Sequence, residues 1–377
     1  MPAPSIPDLR RRARRRLPRF VFDFLDGGAG SEAGLARNAV AFDRVLFRPR
    51  ALVDVEARSL KTAFLGRDWA APIGLAPVGL GNLVWPGAER RLAAAAAAAD
   101  IPYVLSTPAT TPLEAIAGVA PHHAWFQLYV GKSQAIVDDL IDRAAAAGYG
   151  VLVVTVDIPA PGRRLRDLRN GFTLPFRPSL RLALDLALHP AWSLATLRHG
   201  APRFANLEKY APAGAGARSL AALMAEQSSG RLDWRLLAQI RRRWSGRLVV
   251  KGILSPDDAV LAREAGVDAV WVSNHGGRQL DGAPATLAVL PAIRAAVGPD
   301  FPLAVDGGIR SGEHVIKALA LGASFTFVGR PVLYGAAAGP AGAAEAIAIL
   351  VAEASGTLAQ LGLTGIDAVD ARCVDRT

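Results

Sequence analysis

The stretch with the clearest chemical potential in this 377-residue chain is "SNHGGRQLD", Ser273 to Asp281, which follows the mostly apolar run Val267 to Val272. It places an imidazole, His275, two glycines and a guanidinium, Arg278, within a few residues. A histidine can exchange a proton near neutral pH, and an arginine can bind an anion. Taken alone, the stretch fits either a site that moves a proton beside an anion or a polar surface turn.

Two glycine-containing stretches could bind a phosphate group. They are "DGGIR", Asp306 to Arg310, and "VGRP", Val328 to Pro331, and each precedes a predicted helix. Glycine lets backbone N–H groups approach an anion closely, and a helix N-terminus favours negative charge. Arg330 can add its charge, and Asp306 could hold a sugar hydroxyl. These stretches predict a phosphate-bearing cofactor or substrate.

Polar residues also end three other apolar runs. They are Gln127 and Tyr129 in "WFQLYV", Thr155 and Asp157 in "VLVVTVD", and Lys251 in "LVVKG". A single polar residue at a strand end is more often a cap or a hydrogen-bond partner than a catalyst. Five such residues that converge on one mouth would form a site.

The elements that must position these residues are eight short apolar runs that alternate with alanine-rich helical segments. The runs begin at Ile73, Tyr103, Trp125, Val151, Leu248, Ala269, Pro302 and Phe325. This alternation predicts an α/β fold, the (β/α)8 TIM barrel, in which polar strand ends share one catalytic rim. In such barrels the loops after the seventh and eighth strands usually bind phosphate.

We predict a single domain over residues 1–377, with a barrel over about 72–345, an N-terminal helical segment, and a long insertion over about 171–230 after the fourth strand. The insertion contains "SLRLALDLALHPAWSLATLRHG", in which Arg181, Asp185 and His189 recur at every fourth position. On a helix these three form one polar stripe, so most of the leucine-rich circumference must be removed from water. It could pack on the barrel or another subunit, or lie in a membrane interface.

Composition limits the class of protein. A hydrophobic content of 51% with 20% charged residues indicates a globular chain. The single cysteine, Cys373, excludes an intramolecular disulfide and suits a reducing, cytoplasmic compartment. We expect no secretory signal, and no apolar run of the roughly 18 residues needed to span a bilayer. The net charge of +10 allows an anionic partner, and "RRRARRR", Arg10 to Arg16, is either a solvated helix or a lipid or nucleic-acid patch.

Two kinds of site are not expected. No pair of histidines has convincing metal-ligand spacing with a carboxylate, so we predict no metal. "DGGIR" does not match the GxGxxG pattern of a dinucleotide fold, which argues against a nicotinamide cofactor.

The motifs "FRPRALVDV", "LSTPATT", "WFQLYV", "TVD", "GRRLRDLRNGF", "VKG", "SNHGGRQLD", "DGGIRSG" and "KALALGA" together resemble the family of FMN-dependent α-hydroxy-acid dehydrogenases and oxidases. The resemblance runs from about Leu17 to about Gly362. "GLGNLVWPGAE" and "HPAWSLATLRHGAPRFANL" look most like its membrane-associated mandelate dehydrogenase branch. The resemblance implies oxidation of a 2-hydroxy acid to a 2-oxo acid with FMN as cofactor.

The resemblance also implies roles for individual residues. His275 would be the base that removes the substrate proton, and Asp157 would stabilise the resulting imidazolium. Arg164 and Arg278 would clamp the substrate carboxylate. Tyr129 would hydrogen-bond the substrate oxygen as it becomes a carbonyl.

Further residues are implied around FMN. Lys251 would lie near the N1 and O2 edge of the flavin, where a cation stabilises the anionic reduced form. The residues expected to line the isoalloxazine ring or lie near it are Pro77, Val78, Ser106, Gln127, Thr155, Lys251 and Ser273. Those expected around the ribityl phosphate are Asp306, Gly308, Arg310, Gly329 and Arg330.

The chain departs from the family pattern at three positions. Phe24 stands where a tyrosine usually helps bind the substrate carboxylate, Val78 replaces a common threonine, and Leu165 replaces an acidic residue. Gly79 and Pro108 lie where side chains would border the far end of the substrate. Small residues there either leave room for an aryl or long-chain group or, for Gly79, only permit a tight turn.

Several functional alternatives stay open at this stage. Electrons could pass to a membrane quinone or another carrier, or an oxidase could use O2 instead. A non-redox barrel that binds a phosphorylated metabolite is the alternative outside redox chemistry. The resemblance implies a homo-oligomer, a tetramer, located in the cytoplasm or peripherally on the inner face of the cell membrane. We expect no nucleic-acid partner.

Overall fold

The barrel is the central feature of the fold, seen in a computed structural model that describes residues 2–172, 179–211 and 229–376. Eight parallel strands close it in chain order, and Thr326 of the eighth strand pairs with Ile73 of the first. The predicted (β/α)8 barrel is confirmed. Its strands are Ile73–Leu75, Tyr103–Ser106, Ala124–Leu128, Val151–Thr155, Arg247–Ile253, Ala269–Val272, Leu303–Val305 and Phe325–Val328.

Large side chains fill the inside of the barrel. The rings of Trp271 and Phe327 stack at 3.9 Å between centroids, and Phe64 stacks on Phe325 at 4.8 Å. Phe64 belongs to a hairpin, Thr62–Phe64 and Arg67–Trp69, whose aromatic residues join the interior cluster. The interior is therefore a packed core, which leaves room for a ligand at the end of the barrel rather than inside it.

Helices cover the outside of the barrel. One follows each strand, and several begin at a serine or aspartate whose side chain accepts a backbone N–H, as at Ser133, Asp233 and Ser311. Each cap fixes the residue at which the loop after a strand ends and the helix begins. The eight helices are Ala88–Ala98, Leu113–Val119, Gln134–Ala146, Trp234–Arg243, Pro256–Glu264, Thr286–Val297, Gly312–Ala320 and Arg330–Ala338.

Additional elements extend the barrel. The N-terminal segment forms helices Ile6–Arg16, Arg19–Asp26 and Ala33–Asp43, and a short strand, Val45–Phe47, pairs with Val374–Arg376 near the C-terminus. The remaining α-helices of the described residues are Gly81–Val84, Leu165–Arg169, Leu180–Leu188, Pro190–His199 and Gly342–Gln360. Short 3-10 turns are formed by Glu208–Tyr210, Ile366–Ala368 and Ala371–Cys373.

The helix Gly342–Gln360 is long and apolar enough to cross a membrane by length and composition, contrary to our expectation that no such segment exists. Part of it is buried against the rest of the protein, through side chains such as Ile347, Leu350 and Leu358. A core helix of a barrel passes the same test of length and composition. Burial, which the sequence pattern did not reveal, accounts for its apolar character.

The insertion contributes the helices Leu180–Leu188 and Pro190–His199, whereas Arg177 and most of the other early residues of the segment lie outside the described residues. Asp185 does not face the solvent as a polar stripe would. Its Oδ2 accepts the backbone N–H of Arg19 at 2.8 Å, and its carboxylate pairs with His189 at 3.2 Å. Of the predicted alternatives, packing on the barrel therefore holds for part of this helix, through Leu182 and Leu186, which pack against the core.

The outward face of the insertion is apolar. Leu180, Leu184 and Leu188 recur at every fourth position and are 93%, 63% and 68% exposed. Leu194 and Leu197 of the second helix are exposed as well, whereas its Trp192 is buried and donates to the carbonyl of Leu83 at 3.1 Å. The insertion is thus anchored by a few buried groups and presents a row of leucines to its surroundings.

Candidate active site

A cavity of about 490 Å³ opens at the carboxyl end of the barrel strands. Such a volume is typical of sites for small molecules and cofactors. The structure brings together in its wall most of the residues singled out by the sequence analysis: Phe24, Pro77, Val78, Gly79, Tyr129, Thr155, Arg164, Lys251, His275, Arg278, Asp306, Gly308, Arg310, Gly329 and Arg330.

Four predicted residues lie behind this wall and contact it through hydrogen bonds or ion pairs. Asp157 bonds to His275, and Ser273 bonds to Lys251 and Asp306. Gln127 accepts the hydroxyl of Ser106 at 2.8 Å, and its carbonyl accepts the hydroxyl of Thr107, a residue of the wall, at 2.7 Å. Their contribution to the cavity is therefore support for the side chains that line it.

His275 stands between a carboxylate and a hydroxyl. Its Nδ1 lies 3.1 Å from Asp157 Oδ1, and its Nε2 lies 3.4 Å from the hydroxyl of Tyr129. Burial alone would raise the pKa of Asp157, but the charge and hydrogen bond of His275 and the charge of Lys251 outweigh it and hold that pKa below its usual value. The ionised carboxylate fixes a proton on Nδ1, which leaves Nε2 free to accept one.

The backbone explains the two glycines that follow this histidine. His275 adopts a left-handed conformation with φ of 57°, and Gly276 and Gly277 continue it with φ of 62° and 73°. A non-glycine residue in that region is uncommon and occurs often at functional sites. The Ser273 hydroxyl accepts the N–H of His275 at 3.0 Å, so the turn is held from the strand that precedes it.

Two arginines converge on Phe24. The guanidinium carbons of Arg164 and Arg278 lie 5.4 Å and 5.2 Å from the centre of its ring. Arg278 donates to the carbonyls of Phe24 and Gly27, each at 2.8 Å. Burial, together with the charges of Arg164 and Arg330, lowers the pKa of Arg278 well below its usual value. This region is therefore suited to an anion.

Lys251 forms the centre of a buried polar cluster. Its Nζ donates to Ser273 Oγ at 2.7 Å and pairs with Asp306 at 3.0 Å, and Ser273 in turn donates to Asp306 at 2.6 Å. Lys251 lies in the fifth strand, and Ser273 and Asp306 directly follow the sixth and seventh strands. The parallel register of the strands brings them to one level of the rim, as the sequence analysis expects.

The predicted phosphate region has the character of an anion cradle. Gly307 and Gly308 have φ of 95° and 88°, and a Cβ at Gly308 would lie 2.4 Å from the carbonyl of Asn38. Arg330 is partly buried and donates hydrogen bonds to the carbonyls of Leu25, Gly27 and Gly276. Neither Arg330 nor Arg310 forms an ion pair with a carboxylate in the described part of the chain. Burial and the nearby charge of Arg310 lower the pKa of Arg330 to about 10.

Buried polar atoms without partners also fit FMN. Among the described residues, Gln127 Nε2 and Thr155 Oγ1 are buried and make no hydrogen bond. An unmade hydrogen bond of a buried group costs roughly 1–3 kcal/mol, so these atoms call for a polar ligand. Thr155 lies in the cavity wall, as do the glycines and arginines of the phosphate region. The residues present therefore fit a flavin that carries a phosphate.

Gly79 and Pro108 meet each other in the cavity wall. A Cβ on Gly79 would lie 2.8 Å from Pro108 Cγ. Glycine is therefore required by a close approach of two loops, and the two residues together shape one side of the pocket. Val78 lies beside the phosphate region, where its Cγ2 would be 3.5 Å from a Cβ at Gly329.

Several supporting residues escaped the sequence analysis. Asp167 Oδ2 forms an ion pair with Arg164 Nε at 2.9 Å. The geometry of this contact is not that of a hydrogen bond, and the buried Oδ2 atom accepts none. Phe172 stacks on Phe24 at 5.3 Å. Both lie in "GRRLRDLRNGF", and the three-residue spacing of Arg164 and Asp167 at a helix start was an available signal. No sequence pattern indicated that Thr107 donates to the carbonyl of Gln127 and accepts the N–H of Tyr129.

Comparisons with known proteins agree with this site. The family model described as FMN-dependent dehydrogenase matches residues 13–376. The chain is 40% identical to (S)-mandelate dehydrogenase of Pseudomonas putida over 96% of this chain and 91% of that protein. It is 39% identical to an L-lactate dehydrogenase of Caulobacter vibrioides, with 97% and 96% of the two chains covered.

Solved structures give the same result. The crystal structure of the monotopic membrane protein (S)-mandelate dehydrogenase superposes with a TM-score of 0.96 at 39% identity, covering 99% of each chain. A mandelate oxidase superposes with a TM-score of 0.83 at 38% identity, covering 100% of this chain and 98% of that one. The predicted cofactor, FMN, and the predicted class, an oxidoreductase of 2-hydroxy acids, are confirmed. With its family match, its relatives and its barrel in agreement, the chain belongs to the family of FMN-dependent dehydrogenases.

Proposed function

We propose that this enzyme oxidises an (S)-mandelate-like or L-lactate-like 2-hydroxy acid to the 2-oxo acid, with His275 as the base. The observation that carries the proposal is the position of the imidazole between Asp157 at 3.1 Å and the Tyr129 hydroxyl at 3.4 Å. The names of the relatives, mandelate and lactate dehydrogenases, support the choice of substrates.

The side chains divide the work of catalysis as follows. Arg164 and Arg278 bind the substrate carboxylate and orient the molecule. His275 Nε2 takes a proton from the substrate, and Asp157 stabilises the imidazolium that forms. The Tyr129 hydroxyl donates to the substrate oxygen. Burial and the charge of Asp157 raise the pKa of Tyr129, so it stays protonated as a donor.

FMN supplies the electron-accepting chemistry when it is bound. Arg310, Arg330, Gly308 and Gly329 would hold its phosphate, and Asp306 its sugar chain. Pro77, Val78, Ser106, Gln127, Thr155 and Ser273 would contact or support its ring system. Lys251 would place a positive charge at the edge of the ring system, held there by Ser273 and Asp306.

The test is anaerobic mixing of the FMN-loaded protein with a panel of 2-hydroxy acids, including both enantiomers of mandelate and lactate. We expect rapid bleaching of the flavin absorbance by the S enantiomers and no bleaching by 2-oxo acids. A flavin that no 2-hydroxy acid bleaches would overturn the proposal and favour a non-redox binding role.

Phe24→Tyr should tighten binding of a small 2-hydroxy acid. The new hydroxyl would lie beside two guanidinium groups and add one hydrogen bond to the carboxylate, worth about 0.5–1.5 kcal/mol. We expect KM for lactate to fall by the factor that corresponds to this free energy. For mandelate the change in KM should be smaller or opposite in sign. Steady-state constants for both acids in both forms check this prediction, and an unchanged KM for lactate would place Phe24 outside substrate binding.

We further propose that the leucine face of the insertion binds a membrane surface, and that electrons pass to a quinone there. The face consists of Leu180, Leu184 and Leu188, and each buried leucine contributes about 1.5–3 kcal/mol. The membrane association of a relative with a TM-score of 0.96 supports this proposal. The arginines Arg181 and Arg198 would favour anionic lipid.

The triple variant Leu180→Ser, Leu184→Ser, Leu188→Ser should release the protein from vesicles of anionic phospholipid. Because these side chains are exposed and line no part of the cavity, flavin bleaching by substrate should persist. Co-sedimentation measures binding, and Leu261→Ser, an exposed leucine on a barrel helix, is the control. If the unaltered protein stays in the supernatant, the leucines instead cover a contact between subunits.

An oxidase that uses O2 is the second candidate, because a mandelate oxidase is among the similar structures. Turnover that releases hydrogen peroxide at the rate of substrate loss would favour it over a quinone-linked enzyme. The homo-oligomer, a tetramer by resemblance, and the location on the inner face of the cell membrane stay predictions. Light scattering of the detergent-solubilised holoenzyme measures the number of subunits in the oligomer.

A further inference from the structure

Glu89 is a buried carboxyl group that the catalytic scheme does not use. It lies in the first turn of the helix Ala88–Ala98 and is 1% exposed. Its Oε1 accepts the N–H of Gly81 at 2.9 Å and the hydroxyl of Thr110 at 2.8 Å, while the N–H of Thr110 lies 3.0 Å from both oxygens. In the part of the chain that the structure describes, it has hydrogen-bond donors around it but no ion pair.

These hydrogen bonds join two loops of the rim. Gly81 follows the first barrel strand, and Thr110 follows the second. Asn82 adds to the junction, since its N–H donates to Thr110 Oγ1 at 3.1 Å and its side chain to Thr111 Oγ1 at 3.2 Å. Gly81 is needed for this approach, because a Cβ there would lie 2.5 Å from Glu89 Cγ.

The same two loops carry one wall of the cavity. Gly79 and Pro108 line it, and the N–H of Leu80 donates to the carbonyl of Pro108 at 3.0 Å. Leu80 has a φ of 58°, a conformation that costs a bulky residue energy and needs support from its surroundings. The separation of the loops at Glu89 therefore fixes where Gly79 and Pro108 stand.

We propose that Glu89 is a positioning residue for substrate selection: its carboxyl group fastens the two loops together and thereby sets the pocket wall at Gly79 and Pro108. The inference rests on the proposed function, because that wall borders the substituent of the 2-hydroxy acid. Burial raises the pKa of Glu89, with hydrogen bonds from Thr110 opposing it. A buried carboxyl group is costly, and a merely space-filling residue would not require one.

Glu89→Gln tests the proposal with little change in shape. With its amide oxygen in the place of Oε1, it puts an NH2 group in the place of Oε2, where it faces the N–H of Thr110, so the loops should move apart. We expect the ratio of kcat/KM for mandelate to that for lactate to change by about fivefold or more, mainly through KM. The FMN content should stay unchanged, because Glu89 lies outside the phosphate region.

Glu353→Gln is the matched control. Glu353 also accepts a glycine N–H, that of Gly312 at 2.8 Å, and burial also raises its pKa, but it lies on the helix Gly342–Gln360. Its variant should keep the wild-type ratio. A ratio that changes equally in both variants would reduce Glu89 to a general stabilising role and overturn the proposal.

Thr110→Val provides a second test that does not depend on the folding of the Glu89 variant. It removes one donor to Glu89, whereas Thr110→Ser retains it, so the first should alter the ratio and the second restore it. Wild-type selectivity in Thr110→Val overturns the proposal even if Glu89→Gln does not fold. A wild-type flavin that no 2-hydroxy acid bleaches is a different outcome, because it overturns the proposed function itself.

Discussion

His275→Gln should slow reduction of the flavin by substrate by several orders of magnitude while FMN stays bound. A general base typically contributes about 10²- to 10⁴-fold, and the positive charge formed on the imidazole also stabilises the transition state. Glutamine can still donate toward Asp157, but it cannot take a proton at neutral pH. FMN should stay bound because the substitution does not alter the residues that are predicted to hold its phosphate after the seventh and eighth strands.

Anaerobic stopped-flow measurement of flavin bleaching checks this prediction, with the absorbance spectrum reporting the bound FMN. His199→Gln is a suitable control, because His199 is exposed in the insertion and its ring hydrogen-bonds to the carbonyl of Ala195 in the same helix. Near-normal reduction in His275→Gln would remove His275 from the role of base.

Lys251→Met should also have a large effect. It should lower the stability of the apoprotein and change the properties of the bound flavin. Lys251 is 3% exposed and its Nζ lies 3.0 Å from Asp306, so its loss leaves a buried carboxylate without its cation. Breaking a buried ion pair in this way costs about 3–5 kcal/mol of folding free energy. FMN affinity and the flavin reduction potential should fall too, since the cation near the ring edge is lost.

Three measurements separate these effects: chemical denaturation of the apoprotein, FMN titration, and the reduction potential of the holoenzyme. Lys61→Met, at an exposed position that is not part of the cavity wall, should change none of them. An apoprotein of wild-type stability would contradict the ion-pair argument. An unchanged reduction potential would instead place Lys251 away from the flavin.

The barrel and the residues at its rim were predictable because both follow from the pattern of apolar and polar residues along short stretches of sequence. A strand buried on both faces reads as a short apolar run, and the register of parallel strands carries the residues that end such runs to one level. The sequence pattern therefore predicts that His275, Lys251 and Asp306 lie on the same rim. Their separation in sequence did not matter, since the topology of the barrel is regular.

Contacts between irregular segments were not predictable in this way. The sequence does not reveal that Asp185 turns toward Arg19, because a helix pattern gives the angle between side chains but not which side meets the protein. It likewise does not reveal that Glu89 reaches Thr110, since loop conformation decides that contact. The sequence shows that Phe24 lacks a hydroxyl, whereas the approach of two guanidinium groups to its ring depends on the packing of three separate segments.

The two arginines held against the ring of Phe24 have a consequence for discrimination between charged and neutral compounds. Arg278 forms no ion pair among the described residues. The nearby positive charges of Arg164 and Arg330 disfavour the positive charge of Arg278 and lower its pKa. An arriving carboxylate relieves this repulsion, whereas the amide or ester of the same hydroxy acid leaves it in place. We therefore expect repulsion between the arginines, as well as lost hydrogen bonds, to disfavour neutral analogues.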